Sequence, residues 1–318
     1  MWLTCSSIGR KLVMAITGVC LVLFVTFHCL MNGVAIFWPS GYNAVCEFLG
    51  ANWYALVATV GLAALFVIHI LYALWLTIQN RRARGNARYA VNGAAPGVEW
   101  SSKNMLVLGI VVLAFLVVHL IQFWAKMQLA EILHCDYVHE GNPVPPAAGT
   151  LFIQIAFSQI WTPIVYIIGF VALWFHMNHG FWSMFQTIGW DNNTWLPRLR
   201  TIACWWTSIV VGLFIIQAIV FTVRANNQDF AIQAAQYMEW KAGEAAACEE
   251  ACALPCGESA KQVCDKACGD ACEKPCDEAC KQSCESSCAA CCGDDCAACC
   301  GDNCGACVKC DTTAHVVE

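Results

Sequence analysis

The sequence predicts an all-α polytopic membrane protein: a five-helix bundle with a cysteine-rich, low-complexity C-terminal tail. Three observations carry that prediction. Of 318 residues, 59% are apolar and 13% charged, with a mean hydropathy of +0.56, a balance outside that of ordinary soluble domains. Five windows, residues 12–31, 53–78, 105–125, 151–175 and 202–223, contain no Asp, Glu, Lys or Arg. Each supplies the roughly 20 residues a helix needs to cross hydrocarbon. Finally, 15 of the 23 acidic residues and 18 of the 24 cysteines lie at or beyond Glu244. Two unlike parts therefore share the chain: a membrane domain over residues 1–230 and an acidic extension over 231–318. Cytosolic enzymes and basic nucleic-acid binders are excluded, because neither uses charge-free apolar runs of this length.

The first window follows Arg10 and Lys11, as a secretory signal would. Its apolar run is too long for a signal core, and no A-x-A site follows it, so it reads as a retained span. The loop after the second window holds Arg81, Arg82, Arg84, Arg88 and Lys103, and the loop after the fourth holds Arg198 and Arg200. Basic residues in short loops stay on the cytoplasmic side. Those loops and the amino end are therefore expected in the cytoplasm of a bacterial inner membrane. The loops at 32–52 and 126–150 hold one basic residue between them, Lys126, and are expected outside, as is the tail. Trp2, Trp38, Trp53, Trp100, Trp124, Trp190 and Trp195 fall near span ends, where amphipathic rings favour the interface. Pro163 lies inside the fourth window and is expected to bend that helix.

Four windows contain or adjoin a histidine: His28, His69, His119 and His176. Imidazole is costly in lipid unless it is paired or ligates something. Odd spans run outward and even spans inward, and each histidine lies late in its span. His28 and His119 therefore share an outer depth, and His69 and His176 an inner one. Two stacked pairs suit two planar macrocycles whose irons take imidazole nitrogens from both faces. Zinc or copper would need three or four ligands at one depth. Gly18, Gly61, Gly109 and Gly169 precede the histidines by seven to ten residues; they could make room for a porphyrin or simply pack helices. His179 lies one turn from His176 as a competing ligand. His134, Cys135, Asp136 and His139 read as solvated loop residues or a peripheral metal site.

The order of one histidine on each of spans one to four, with none on the fifth, resembles the cytochrome b membrane subunit of succinate:quinone oxidoreductases. The likeness is to the single-chain, five-helix, dihaem class that includes bacterial fumarate reductases, and it covers residues 6–224. The segment His176-Met-Asn-His179-Gly180-Phe181-Trp182 is similar to that family's fourth-ligand frame of His, three residues, Gly, an apolar residue and an aromatic, which selects His176. The resemblance implies axial ligation of two b haems by His28 with His119 and by His69 with His176. It also implies a menaquinone site, and docking of a flavoprotein subunit with covalent FAD and an iron–sulfur subunit on the cytoplasmic face. This chain would be non-catalytic for succinate itself and would carry electrons between quinone and the iron–sulfur subunit. Arg10, Lys11, Arg81, Arg82, Arg84 and Arg88 could meet haem propionates. Glu47, the only acid in its loop, is the candidate for quinol proton exchange. Some family members carry a glutamate two residues before the fourth ligand as part of a proton route; here that position is Trp174.

In the tail, cysteines recur every four residues from Cys248 to Cys304, interrupted only at Ala260, with Cys291, Cys299, Cys307 and Cys310 added. Few large apolar residues are available, so order would have to come from crosslinks or metal. Outside the membrane disulfides lead, while repeated C-x-x-C pairs also suit zinc or another soft metal. The family named above does not include such an extension. Two other readings stay open: a dihaem quinol cytochrome serving a different dehydrogenase, and a soft-metal transporter or sensor with the tail as a metal sponge and the histidines as its path, which calls for acidic or thiolate groups at midspan, where only Cys20, Cys29 and Cys204 stand.

Overall fold

The computed structural model describes residues 6–84, 100–135 and 137–252. Its first element, α1 (Ser7–Phe37), is capped by Ser6, whose hydroxyl accepts from the Gly9 amide at 2.9 Å, satisfying one of the four orphan donors of a helix start. Pro39 opens α2 (Pro39–Ala51), where its missing N–H has no cost. Then come α3 (Trp53–Arg84), the short α4 (Trp100–Lys103) and α5 (Met105–His119). A π-helical turn (Leu120–Trp124) continues α5 and leads to α6 (Gln128–Ile132). A small antiparallel hairpin, β1 (Tyr137–His139) with β2 (Asn142–Val144), precedes α7 (Gly149–Phe157), α8 (Trp161–Thr187), α9 (Trp195–Asn227) and α10 (Phe230–Cys252).

Five helices among the described residues are long and apolar enough to cross a membrane: α1, α3, α5 with its π turn, α8 and α9. The chain is an all-α membrane protein with five candidate spans among the described residues. Large apolar residues such as Leu23, Val60, Leu71, Ile110, Ile168 and Ile209 remain exposed on the five spans, as a lipid-facing surface requires. The core lies where α8 packs against α1, α5 and α9. Phe157, Tyr166, Phe170, Met177, Phe214 and Phe221 fill it, with Phe170 stacked on Phe214 at 5.2 Å. The spans alternate in direction. One end of the bundle collects α2, α6, the hairpin and α7, and is called the hairpin end below; the opposite end carries Arg10, Arg81, Arg82, Arg198 and Arg200.

The fourth span differs from expectation. The apolar window 151–175 is not one helix: it breaks at residues 158–160, leaving α7 as a separate short helix with every residue from Leu151 to Phe157 buried. The span itself is α8, shifted about ten residues onward. Pro163 is consequently the third residue of α8, in the first turn, and does not bend the helix interior. The shift, and the extension of α3 to Arg84, also place His69 and His176 near the middle of their helices rather than late in them.

Polar contacts fasten the hairpin end. The buried Asn43 amide donates to Thr150 Oγ1 at 3.0 Å and accepts from the Thr150 amide at 2.9 Å, tying α2 to the start of α7. Arg224, near the end of α9, donates from Nη2 to the Ile36 carbonyl at 2.9 Å and from Nη1 to Ala35 at 3.5 Å. A cation at the carbonyl end of α1 also complements the helix dipole, which accounts for a basic residue at an end otherwise poor in them. Glu140 (φ 50°) and Gly141 (φ 80°) turn the hairpin, the paired positive-φ geometry of a two-residue turn.

Gly169 on α8 makes room for the Phe115 side chain of α5. A Cβ there would overlap the Phe115 ring, which itself packs on Tyr166 and Phe170 at 5.0 and 5.5 Å. Gly169→Ala is expected to destabilise the bundle by roughly 1–3 kcal/mol, the usual range for overpacking, measured as a lower unfolding midpoint in detergent.

The chain divides into two units, Met1–Ala234 and Ala235–Glu318. Within the second, the described part of α10 carries a Lys241–Glu244 ion pair at 3.3 Å and a Tyr237–Trp240 ring contact at 5.6 Å. The cysteine repeat from Cys256 onward lies outside the described residues, as do Trp2, Arg88 and Asp136.

Candidate functional site

The four histidines meet two by two. His28 on α1 faces His119 at the end of α5, with ring centroids 5.7 Å apart and planes at 85°. His69 on α3 faces His176 on α8, at 6.3 Å and 65°. Two imidazoles bound to one metal from opposite sides, each at about 2 Å, hold their centroids roughly 6 Å apart. Both separations fit that arrangement. Among the described residues, no three His, Cys, Asp or Glu side chains converge as a larger metal-holding group.

Aromatic rings wall the His28/His119 pair. Phe24 stacks on His28 at 5.5 Å and Phe214 lies at 6.2 Å, while Phe115, Phe123 and Tyr166 stand 5.2 to 6.1 Å from His119. The π turn begins at the residue after His119; such widened turns occur frequently at functional sites. His119 Nδ1 lies 3.2 Å from the Tyr166 hydroxyl. Tyr166 donates to Gln122 Oε1 at 2.9 Å, and Gln122 Nε2 donates to Thr162 Oγ1 at 3.0 Å.

At the other pair, Thr17 Oγ1 donates to the Val13 and Met14 carbonyls at 3.0 and 3.1 Å and lies 3.1 Å from His69 Nδ1. With its only proton directed at a carbonyl, Thr17 accepts from Nδ1–H, leaving the lone pair of His69 at Nε2. His176 Nδ1 is buried without a hydrogen-bond partner, an uncommon state for a polar atom that lacks a ligand. Gly18 and Gly109 lie against these two rings: a Cβ at Gly18 would sit 4.0 Å from His69 Cε1, and one at Gly109 would sit 3.7 Å from His176 Cε1. Gly169 serves the packing described above, and a Cβ at Gly61 would meet nothing within 4 Å. The His179 ring meets Trp182 edge-on at 4.8 Å.

Family models, curated proteins and solved structures all give no match to this chain. Its chemistry is therefore argued from its own residues.

Glu47 lies on α2 at the hairpin end, and the structure gives it a neighbour that the sequence did not suggest. Glu131 on α6 packs against Gly50, where a Cβ would sit 3.1 Å from the Glu131 carboxyl carbon. Partial burial and the charge of Glu47 raise the Glu131 carboxyl above the usual carboxylate range, with His134 opposing. A carboxyl whose folded-state pKa is raised stabilises the fold below the ordinary carboxylate range and loses that contribution as pH rises through the raised value. Glu131→Gln is accordingly expected to raise the melting temperature at pH 7 and to leave it unchanged below a pH of about 4. A melting series over pH checks both.

The remaining candidates stand apart from the pairs. His139 packs edge-on against Phe230 at 4.8 Å, and His134 Nδ1 lies 3.2 Å from the Ile132 carbonyl. Arg10 Nε is buried without a partner, at the end where propionates were expected. Arg200, read from the sequence as a cytoplasmic loop residue, lies in the first turns of α9 with its guanidinium over the Trp182 ring at 4.5 Å. Cys20, Cys29 and Cys204 are free thiols; Cys29 donates to the Val210 carbonyl at 3.5 Å. Burial pushes the Cys46 thiol up to about 11, keeping it protonated and unreactive.

Proposed function

We propose that this chain is the membrane-anchor cytochrome b subunit of a succinate:quinone oxidoreductase, carrying electrons between menaquinone and an iron–sulfur subunit. The observation that supports it best is the pairing of one histidine from each of four successive spans, first with third and second with fourth, at separations that suit bis-imidazole ligation. Bound b haems would supply one-electron transfer at each pair. His28 and His119 would hold the haem nearer the hairpin end, and His69 and His176 the other. Thr17 orients the His69 ring, and the Phe24, Phe115, Phe123 and Phe214 rings keep water from the first pair. Glu47, with Glu131 beside it, is the candidate proton acceptor or donor for quinol at the hairpin end, a role that requires hydrogen-bond reach.

The basic residues at the opposite end support a cytoplasmic position for that end in a bacterial inner membrane. The flavoprotein and iron–sulfur subunits would dock there, with Arg10 available to a propionate through its charge-assisted donors.

The test uses membranes that hold the chain together with its soluble partner subunits. Succinate is expected to reduce a b-type chromophore and, through it, a naphthoquinone. A chromophore reduced by quinol but indifferent to succinate would assign the chain to another dehydrogenase. A colourless protein that instead accumulates zinc or copper would place it in the soft-metal class.

A further inference from the structure

The Tyr166 hydroxyl is held in an arrangement with a definite polarity, provided the haem reading above is right. Tyr166 is 4% exposed and Thr162 is fully buried, so the chain from Thr162 through Gln122 and Tyr166 to His119 has little water to exchange partners with. Ligation of iron through His119 Nε2 leaves the ring proton on Nδ1. That proton points at Tyr166, whose oxygen must then accept it. The single tyrosine proton is thereby directed to Gln122 Oε1, and the Gln122 amide nitrogen to Thr162, as the distances of 2.9 and 3.0 Å have it. Each of the three contacts then has one donor and one acceptor, and no lone pair faces another across them.

We propose that Tyr166 is a positioning residue for the His119 ligand: it fixes the ring's tautomer and, by accepting from Nδ1–H, raises the basicity of Nε2. Outer partners of ligating histidines act in this way on metal affinity and potential. A more basic imidazole favours ferric over ferrous iron, so the tyrosine holds the potential of the hairpin-end haem down. At the second pair the Thr17 hydroxyl accepts from His69 Nδ1–H in the same way, but its proton goes to backbone carbonyls of its own helix and no side-chain series extends from it, while His176 Nδ1 has no partner. The contacts of Tyr166 on α8 and Gln122 on the π turn therefore act on the hairpin-end haem and not on the other. Gln122 contributes by drawing the tyrosine proton away from the imidazole.

The experiment is an optical redox titration of the purified complex carrying Tyr166→Phe, and separately Gln122→Leu. A His119→Ala complex identifies which part of the spectrum belongs to the hairpin-end haem. In Tyr166→Phe, two haems are expected to remain. The hairpin-end haem should move about tenfold toward its reduced form at a given potential, a rise of about 59 mV for one electron. The other haem should titrate as in the parent. Gln122→Leu should move the same haem in the same direction by less. If both variants titrate like the parent, the tyrosine assignment is overturned while the haem reading stands. If Tyr166→Phe loses haem on purification, Gln122→Leu decides: a shift confined to the hairpin-end haem upholds the proposal, and an unshifted or uniformly shifted pair overturns it. A parent complex without haem overturns both.

Discussion

His119→Ala is expected to leave one haem per chain where the proposed reading gives the parent two, and to disconnect quinone from succinate. The substituted residue is the last of α5, and its ring is held by Tyr166 and surrounded by Phe115 and Phe123. Alanine would remove one of the two imidazoles proposed to hold that haem and leave a gap lined by Phe115, Phe123 and Tyr166. His28 alone then faces the site. Electron flow from succinate to an artificial acceptor, which needs only the soluble subunits, should persist at parental rate. Succinate-driven quinone reduction should fall to background, and the difference spectrum should lose half its b-type amplitude. Haem quantitation against protein checks the ratio.

His176→Ala and His179→Ala separate a ligand from its neighbour one turn away. His176 is in ring contact with His69 and has a buried orphan nitrogen; His179 faces Trp182. The first substitution is expected to abolish the haem at that pair and leave the hairpin-end haem in place, which would still be reduced by quinol but not by succinate. The second should keep both haems and at least half of the succinate–quinone activity. The reverse result, loss in His179→Ala and retention in His176→Ala, would give the ligand role to His179 and remove the geometric basis of the second pair.

Five spans were legible because the residues that face lipid carry no charge over a full bilayer width, a constraint that acts on the sequence directly. The pairing was legible because alternate spans run in opposite directions, but the depth of the second pair was not: the helices extend beyond the charge-free windows and leave His69 and His176 near their middles. The break at residues 158–160 was not legible either. The short α7 is buried against protein on every side, and a helix sheathed in protein is as apolar as one sheathed in lipid, so hydropathy runs straight through the junction. The nearness of Glu131 to Glu47 depends on how two connecting helices fold back over the bundle, which no local pattern records. Tyr166, Gln122, Thr162 and Thr17 were legible in principle. They are polar residues within charge-free windows, where each needs a partner, but a search keyed to charge and histidine passes over them. The hairpin rests on a positive φ at Glu140, a conformation that its residue type does not announce.

The central claim is that imidazoles from four spans grip two iron porphyrins. Its most direct test is the haem content and reduced-minus-oxidised spectrum of the purified full-length chain, with the quadruple His→Ala variant at positions 28, 69, 119 and 176 as the blank. The account predicts two b-type haems per polypeptide, both low-spin, and none in the variant. A parent chain that stays colourless after expression with ample haem and subsequent reconstitution contradicts it.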